Sequence, residues 1–342
     1  MYSSDALRKF LGIPHLSVEN LDEGASGRAR YRYLILGHKE PDGDCVASQV
    51  VMGHFLRRLG HEVVLLSEGP FDRPEVAKFE TLFREEFSAE ELNDSDRAVV
   101  LDCSTADRVG RFQFILERVE TLVIDHHSSR KSFGDISVVD SYAPSVTYII
   151  QHLLEEFGHD FDTYEARLLL FGLCTDTGFF RHVEGNEVEI FDSVSRLVAK
   201  GITLKDAFYM MYGNRDLSKR KLLGKMLERV KSYEGGRILT TFQTIEDRKA
   251  VVGHSRGDDE LYMLLQTVNN NEVVVYIREE EWGGCSVGLR SRERIDVGKI
   301  AGEYGGGGHR LAAGFDMEAD IRQTEEIVVE RLKRALLQME VL

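Results

Sequence analysis

Apolar segments that end in an acid or an imidazole recur along the first half of the chain. Segments 34–36, 98–102 and 121–127 each read as a buried strand followed by a polar turn, and helical patterns separate them. Their ends carry His38, Asp42, Asp44, Asp102, Asp125, His126 and His127. Strands and helices that alternate in this way predict a doubly wound parallel sheet. Because such strands end at the same sheet edge, we expect these side chains to gather there.

Two further features bear on this edge. In the first turn, Pro41 fixes one backbone angle and Gly43 permits a tight bend, so that Asp42 and Asp44 can point in different directions. Later, an apolar helical pattern over 166–182 contains Asp176 among small residues. Asp176 is therefore a candidate for the same site.

The length of 342 residues predicts two domains. We expect an α/β chain with an N-terminal parallel-sheet domain over 1–212, a linker helix over 213–234 and a smaller α/β domain over 235–342. Candidate strands of the second domain are 237–244, 273–278 and 285–290, and candidate helices are 258–268, 296–303 and 324–339. A glycine-rich run, 304–314, lies between the last two helices.

Composition narrows the classes of partner. The formal net charge of −15 argues against a basic surface for long duplex nucleic acid, although bound cations would still permit a small phosphorylated substrate. No apolar run reaches the length of a membrane span, and residues 1–10 lack the apolar block of a secretion signal. We therefore expect a cytoplasmic protein with no membrane partner, and a homodimer is compatible with this interpretation.

The predicted ligand set favours divalent cations. Carboxylates and imidazoles without thiolates are typical of Mn²⁺, with Mg²⁺ or Co²⁺ as alternatives, rather than of a structural zinc site. Two cations about 3.5–4 Å apart could clamp a phosphoryl group for in-line attack by a hydroxide.

Four cysteines, Cys45, Cys103, Cys174 and Cys285, form no CxxC pair. We interpret them as small core residues, with oxidative damage to the metal site as a weaker hypothesis.

The segments HKEPDGD, LDCSTADRVG, DHH and GGGGH together resemble the DHH phosphoesterase superfamily, in the branch with a C-terminal DHH-associated domain. Their order and spacing cover nearly the whole chain, and the compact length resembles the nanoRNase and oligoribonuclease type. The sequence departs from the usual pattern at 45–48 and at Arg130. These departures bear on substrate preference more than on the reaction class.

The resemblance implies a role for each candidate. His38 and Asp42 would hold one metal, and Asp44, His126 and Asp176 the second, with Asp102 bridging both. His127 would contact the scissile phosphate, and Asp125 would orient the histidines. The second domain would bind substrate through Arg290, Gly306, Gly307, Gly308 and His309, with Arg292 as a weaker candidate. The active site would then lie in the cleft between the two domains.

The implied reaction is hydrolysis of short oligoribonucleotides, such as 5′-phosphorylated dinucleotides, to mononucleotides by two-metal hydroxide attack. Removal of the 3′ phosphate from phosphoadenosine phosphate and hydrolysis of linear or cyclic dinucleotide signals are close alternatives. A pyrophosphatase or polyphosphatase is less favoured. A nucleotide sensor without catalytic activity is the alternative outside the enzymes. The presence of every candidate metal ligand argues against it.

Overall fold

A computed structural model describes residues 4–13, 30–127, 133–183, 185, 187–213, 215–251 and 258–340. The chain forms two compact units, Met1–Asn214 and Arg215–Leu342. Among the described residues, no helix combines the length and apolar character that a membrane span requires. Arg130 and residues 14–29 lie outside the described residues.

The first unit alternates strands and helices. Its elements are α1 (Ser4–Phe10), β1 (Arg32–Leu36), α2 (Gly43–Arg58), β2 (Glu62–Leu66), β3 (Asp96–Leu101), α3 (Gln113–Leu116), β4 (Glu120–Asp125), β5 (Ile136–Val139), α4 (Val146–Glu156), α5 (Thr163–Asp176), α6 (Glu187–Val198) and α7 (Leu204–Tyr212). The five strands form a parallel sheet in the order β2-β1-β3-β4-β5. The predicted α/β class and parallel sheet are confirmed.

Both faces of this sheet are buried. In β1, Tyr33 and Ile35 pack into one apolar cluster, while Leu34 and Leu36 pack into a second. Successive strand residues point to opposite faces, so that each face has its own core. The strand order reverses between β1 and β3, which in open α/β sheets marks the crevice where ligands bind. His38 follows β1 and Asp102 follows β3, on the two sides of that crevice.

The sequence of the charged segment 74–87 predicts a helix, and the structure forms a much shorter one. Of the segment 74–87, only Ala77–Leu82 is helical, as a 3₁₀ helix. The chain then turns back to the sheet, where the Arg84 amide donates a 2.9 Å hydrogen bond to the Leu65 carbonyl. Arg84 also forms a parallel bridge with Leu66. This pairing takes the backbone out of helical geometry before another turn can form.

The second unit contains a mixed sheet. Its elements are α8 (Leu217–Glu228), β6 (Lys231–Tyr233), β7 (Ile238–Gln243), α9 (Ile245–Lys249), α10 (Asp258–Gln266), β8 (Val273–Glu279), β9 (Cys285–Ser291), α11 (Val297–Glu303), β10 (Gly307–His309), β11 (Ala312–Met317) and α12 (Ile321–Glu340). The strand order is β10-β11-β9-β8-β7-β6, with β7 and β8 parallel and the other pairs antiparallel. Helix α8, which the sequence analysis assigned to a linker, lies in this unit, because Met226 is buried with Leu239 and Leu261. The predicted domain limits stay predictions.

Candidate metal centre

His38 lies in the turn after β1 and is almost fully buried. Its Nδ1 lies 2.8 Å from the Lys39 carbonyl. A carbonyl only accepts, so Nδ1 donates this bond and the Nε2 edge faces the other side. There, Nε2 lies 3.5 Å from Asp102 Oδ2 and 3.7 Å from Asp42 Oδ2. An imidazole whose one nitrogen is held by a carbonyl is suited to ligate metal through the other.

Asp42 is the N-cap of α2. Its Oδ1 accepts a 3.1 Å hydrogen bond from the Cys45 amide, while Oδ2 faces His38. The cap satisfies one of the amides left unpaired at a helix N-terminus. One oxygen of Asp42 is therefore engaged in starting the helix, and the other remains available to a cation.

Asp44 is fully buried and is anchored by the start of α4. Its Oδ2 accepts a 2.7 Å hydrogen bond from the Val146 amide. Its Oδ1 accepts bonds of 2.9 Å from the Thr147 amide and 2.6 Å from the Thr147 hydroxyl. Sequence reasoning missed this support, although Ser145 is a recognisable N-cap residue ahead of an apolar helix. Two residues far from Asp44 in sequence thus fix its orientation.

Asp102 is the residue that the other candidates surround. Its side chain is 3% exposed, and its backbone has a φ of 59°, in the left-handed region. Oδ1 is buried without a hydrogen-bond partner and lies 3.7 Å from both His126 Nε2 and His127 Nδ1. A buried, charged oxygen that no donor satisfies is costly unless a cation neutralises it. This carboxylate therefore fits the bridging position predicted for it.

The two histidines after β4 are held from different sides. The Nδ1 of His126 donates to the Ala143 carbonyl at 3.2 Å, and its Nε2 lies 3.2 Å from Asp176 Oδ2. The Nδ1 of His127 lies 2.7 Å from Asp125 Oδ1. His126 is therefore directed at the carboxylates, whereas His127 has a side chain that is 41% exposed and faces outward beside them.

Three groups of side chains could each hold a cation in the described part of the chain. Within each group the donor atoms lie within 4.8 Å of one another; the groups are His38–Cys45–Asp102, Asp102–His126–His127 and Asp44–His126–Asp176. The structure brings together all the predicted ligands except Asp42, which contacts His38 but joins none of these groups. Cys45 is a member that the sequence analysis did not assign. All four cysteines are free and buried.

Crowding of acids alters their protonation. Burial, followed by the charge of Asp102, raises the pKa of Asp44 to about 7. Burial and the charges of Asp44, Asp102 and Asp42 also raise the pKa of Asp176. The hydrogen bond from His127 to Asp125 is the main cause that raises the pKa of His127. Carboxylates that repel one another in this way form a strong site for a divalent cation, because the ion removes the repulsion.

In the second unit, the two predicted basic residues lie on one sheet face. Ala312 pairs with Arg290 on one side and with His309 on the other. Directly paired residues share a face, and adjacent strands are about 4.8 Å apart, so the two basic positions are separated by about 10 Å across a small residue. Arg290 also stacks over the Tyr262 ring, with its guanidinium carbon 4.5 Å from the ring centroid.

The glycines beside His309 have two different roles. A Cβ at Gly306 would lie 2.2 Å from the Gly314 carbonyl oxygen, and one at Gly308 would lie 2.5 Å from that of Ala312. A Cβ at Gly307 would meet no atom within 4 Å. Of these three glycines, Gly306 and Gly308 are thus required for packing, and Gly307 leaves open space for a phosphate to approach.

Comparisons with known proteins agree with this architecture. Residues 32–173 match the DHH family N-terminal domain, and residues 258–338 match the DHHA1 domain. The chain is 30% identical over 307 residues to the bifunctional oligoribonuclease and PAP phosphatase NrnA of Thermus thermophilus, covering 88% of this chain and 89% of that protein. It is 25% identical to the protein of the same name from Bacillus subtilis, covering 81% and 86%.

A solved structure extends the similarity to the fold. The exopolyphosphatase-related protein from Bacteroides fragilis matches with a TM-score of 0.81 at 21% identity, covering 97% of this chain and 95% of that one. The matched regions contain the carboxylates and imidazoles described above except Asp176, which lies three residues past the first match, and in the second unit they contain Arg290 and His309. The chain therefore belongs to the DHH family of phosphoesterases and carries both a DHH and a DHHA1 domain.

Proposed function

We propose that the protein hydrolyses short oligoribonucleotides, such as 5′-phosphorylated dinucleotides, to mononucleotides with the help of two divalent cations. The observation that carries this proposal is the gathering of carboxylates and imidazoles from four separate elements around Asp102. The relative from Thermus thermophilus, whose name includes oligoribonuclease, supports the class of substrate because it covers most of the chain.

The proposed metal ligands form two sets, one on each side of Asp102. His38 and Asp42 would hold one cation, Asp44, His126 and Asp176 the other, and Asp102 both. When bound, such cations neutralise phosphate oxygens and make water acidic enough to act as a nucleophile at neutral pH. Mn²⁺ is the proposed ion, with Mg²⁺ and Co²⁺ as alternatives, because the proposed donors are oxygen and nitrogen atoms.

His127 would act on the substrate rather than on the cations. Its Nδ1 is engaged by the buried Asp125, which leaves Nε2 on the exposed edge of the ring. The raised pKa of His127 favours the protonated ring, whose Nε2–H can donate to a phosphate oxygen or to the departing ribose oxygen. This residue would therefore supply a proton and a positive charge at the point where negative charge develops.

The second unit would recognise the remainder of the substrate. Arg290 presents a planar guanidinium with fixed donors, the geometry that suits a terminal phosphate. His309 is exposed on the same sheet face, and Gly307, two residues earlier in β10, leaves room for a phosphate to approach the backbone. The proposal assigns the 5′ phosphate to this surface.

Removal of the 3′ phosphate from phosphoadenosine phosphate is the second proposed activity. The names of both NrnA relatives include it. The same carboxylates and imidazoles would serve both reactions, because in each a ribose 3′ oxygen would leave the phosphorus. The two substrates differ in whether the attacked phosphate carries a second nucleoside. Cyclic or linear dinucleotide signals would be cleaved by the same chemistry.

One panel of substrates tests the proposal. Purified protein with Mn²⁺ is incubated side by side with a labelled 5′-phosphorylated dinucleotide, a longer RNA, phosphoadenosine phosphate and pyrophosphate. We expect the dinucleotide to be cleaved fastest and a chelator-treated sample to be inactive. Faster hydrolysis of pyrophosphate would overturn the substrate assignment. Failure to hydrolyse any of the four would favour a nucleotide sensor.

A further inference from the structure

Cys45 lies in the first turn of α2 and is fully buried beside the candidate metal centre. The donor atoms of His38, Cys45 and Asp102 all lie within 4.8 Å of one another. We infer that Cys45 Sγ is a metal ligand on the His38 side of Asp102, and that this position binds softer ions in preference to Mn²⁺. The inference rests on the metal site of the proposed function and changes its ligand set.

The surroundings of Cys45 fix where its sulfur points. A Cβ at Gly37 would lie 2.3 Å from Sγ, so only glycine fits between the end of β1 and the thiol. One helical turn further on, Gln49 Nε2 donates a 3.5 Å hydrogen bond to Sγ. The thiol is thus held by Gly37 and Gln49 within 4.8 Å of the donor atoms of His38 and Asp102.

The neighbouring carboxylates leave this position short of a ligand. Asp42 has one oxygen occupied by the cap of α2, and it joins none of the three donor groups found in the described residues. Asp102 directs Oδ2 toward His38 at 3.5 Å, whereas its Oδ1 lies 3.7 Å from His126 and His127. His38, Cys45 and Asp102 give one nitrogen, one sulfur and one oxygen donor, to which a fourth donor such as Asp42 or water can be added.

A thiolate changes which ion is preferred. Sulfur ligands favour Zn²⁺, Co²⁺ and Fe²⁺, whereas oxygen-rich sites accept Mn²⁺ and Mg²⁺. Binding would replace the thiol proton with the metal, and the proton would leave to solvent. The second position, with Asp44, His126 and Asp176, holds only oxygen and nitrogen donors and would keep its preference for Mn²⁺. The centre would then hold two chemically different ions.

Cobalt substitution of the metal-free, full-length protein tests this inference. A thiolate ligand to Co²⁺ produces a near-ultraviolet charge-transfer band, whereas oxygen and nitrogen ligands produce only weaker visible bands. We expect the charge-transfer band in the wild-type chain and in Cys174→Ala, a second buried cysteine outside the three donor groups. The band should be absent from Cys45→Ser, which keeps the size of the side chain, and from Cys45→Ala.

Metal competition gives a second readout. Loss of a partner that only orients a metal ligand costs about 10–100-fold in affinity, so Cys45→Ser should lower the affinity for Zn²⁺ by at least about tenfold. Its affinity for Mn²⁺ should change much less. An equal loss for both ions would indicate general damage and overturn the inference.

X-ray absorption spectroscopy of the zinc-loaded wild-type protein tests the inference without depending on whether a variant folds. A sulfur ligand gives a Zn–S distance of about 2.3 Å, longer than the roughly 2.0–2.2 Å of nitrogen and oxygen ligands. A zinc shell without sulfur, or a cobalt band that survives in Cys45→Ser, would overturn the inference and leave the proposed function intact. Failure of the wild-type chain to bind any divalent ion would overturn both.

Discussion

Asp125 Oδ1 lies 2.7 Å from His127 Nδ1, and Asp125 is itself fully buried at the end of β4. The pair joins a residue inside the sheet to one at its exposed edge. It fixes which ring nitrogen faces outward and raises the pKa of His127. A carboxylate that holds an imidazole in this way acts through it, as a positioning residue.

We predict that Asp125→Asn lowers turnover about 10–100-fold while the bound metal is unchanged. A protonated His127 is needed as donor, so activity falls as pH rises through its pKa. Without the Asp125 charge that pKa is lower, and the alkaline limb of the pH profile should move to lower pH. The profile of His127→Gln should have no such limb. An unshifted limb in Asp125→Asn would contradict the role.

Asp102→Asn should lower turnover by at least about 100-fold and reduce the number of bound cations. Asparagine keeps the shape of the side chain and tolerates the left-handed backbone, whereas alanine at a φ of 59° would add backbone strain. Loss of activity in the asparagine variant can therefore be assigned to the missing charge. Metal content by elemental analysis and the thermal midpoint without metal are the measurements. Unchanged turnover would remove the shared-ligand role.

Metal binding should stabilise the protein more at about pH 8 than at about pH 6, because cations compete with protons for these carboxylates. The pKa of Asp44 is raised from 3.8 to about 7, so the folded protein holds this proton more tightly than the unfolded chain does. The contribution of protonated Asp44 to the stability of the fold is complete below the pKa of Asp44 in the unfolded chain, and it is lost as pH rises through about 7. A bound cation restores this stability, because it neutralises the charge of the deprotonated Asp44. Thermal unfolding with and without Mn²⁺ at the two pH values measures the difference, and an equal shift at both would contradict the prediction.

Thr147→Val should destabilise the metal-free protein by about 1–3 kcal/mol, because it removes the hydroxyl that donates to buried Asp44. Thr147→Ser keeps the donor and serves as the control. Urea unfolding monitored by circular dichroism compares the two. If valine proved as stable as serine at this position, the hydroxyl would have no part in holding Asp44.

Arg290→Ala should raise the KM for a 5′-phosphorylated dinucleotide by about tenfold or more, the loss expected for a charge-assisted hydrogen bond. Metal content should not change. Arg294→Ala removes an exposed arginine of the same unit and should have little effect. A small aryl phosphate monoester supplies the second control. If Arg290→Ala impaired hydrolysis of that monoester equally, the assignment of Arg290 to the 5′ phosphate would be wrong.

The sequence predicted the sheet edge correctly, because the end of a strand is encoded by residues that are neighbours in sequence. The apolar segments before His38 and Asp102 predicted β1 and β3 to within two residues, since buried parallel strands read as continuous apolar runs. Short elements were missed. The strands Ile136–Val139 and Lys231–Tyr233 have four and three residues, too few for a periodic pattern, and only pairing with longer neighbours makes them strands.

Contacts between distant residues set the rest of the site. Asp44 could be recognised as an acid beside a helix start, but its hydrogen bonds to Val146 and Thr147 join positions about a hundred residues apart. The grouping of Cys45 with His38 and Asp102 depends equally on the turn after β3. No local pattern encodes such contacts, because they follow from how strands and helices pack.

The glycines beside His309 have a practical consequence for anyone who engineers this chain. A run such as GGGGH resembles a spacer that tolerates insertion or exchange, yet the carbonyls of Gly314 and Ala312 leave no room for a methyl group at Gly306 or Gly308. Serine or alanine at either position would push β10 off its neighbour and carry His309 with it. A side chain at Gly307 would meet no neighbouring atom, but a label there would occupy the space proposed for the substrate phosphate.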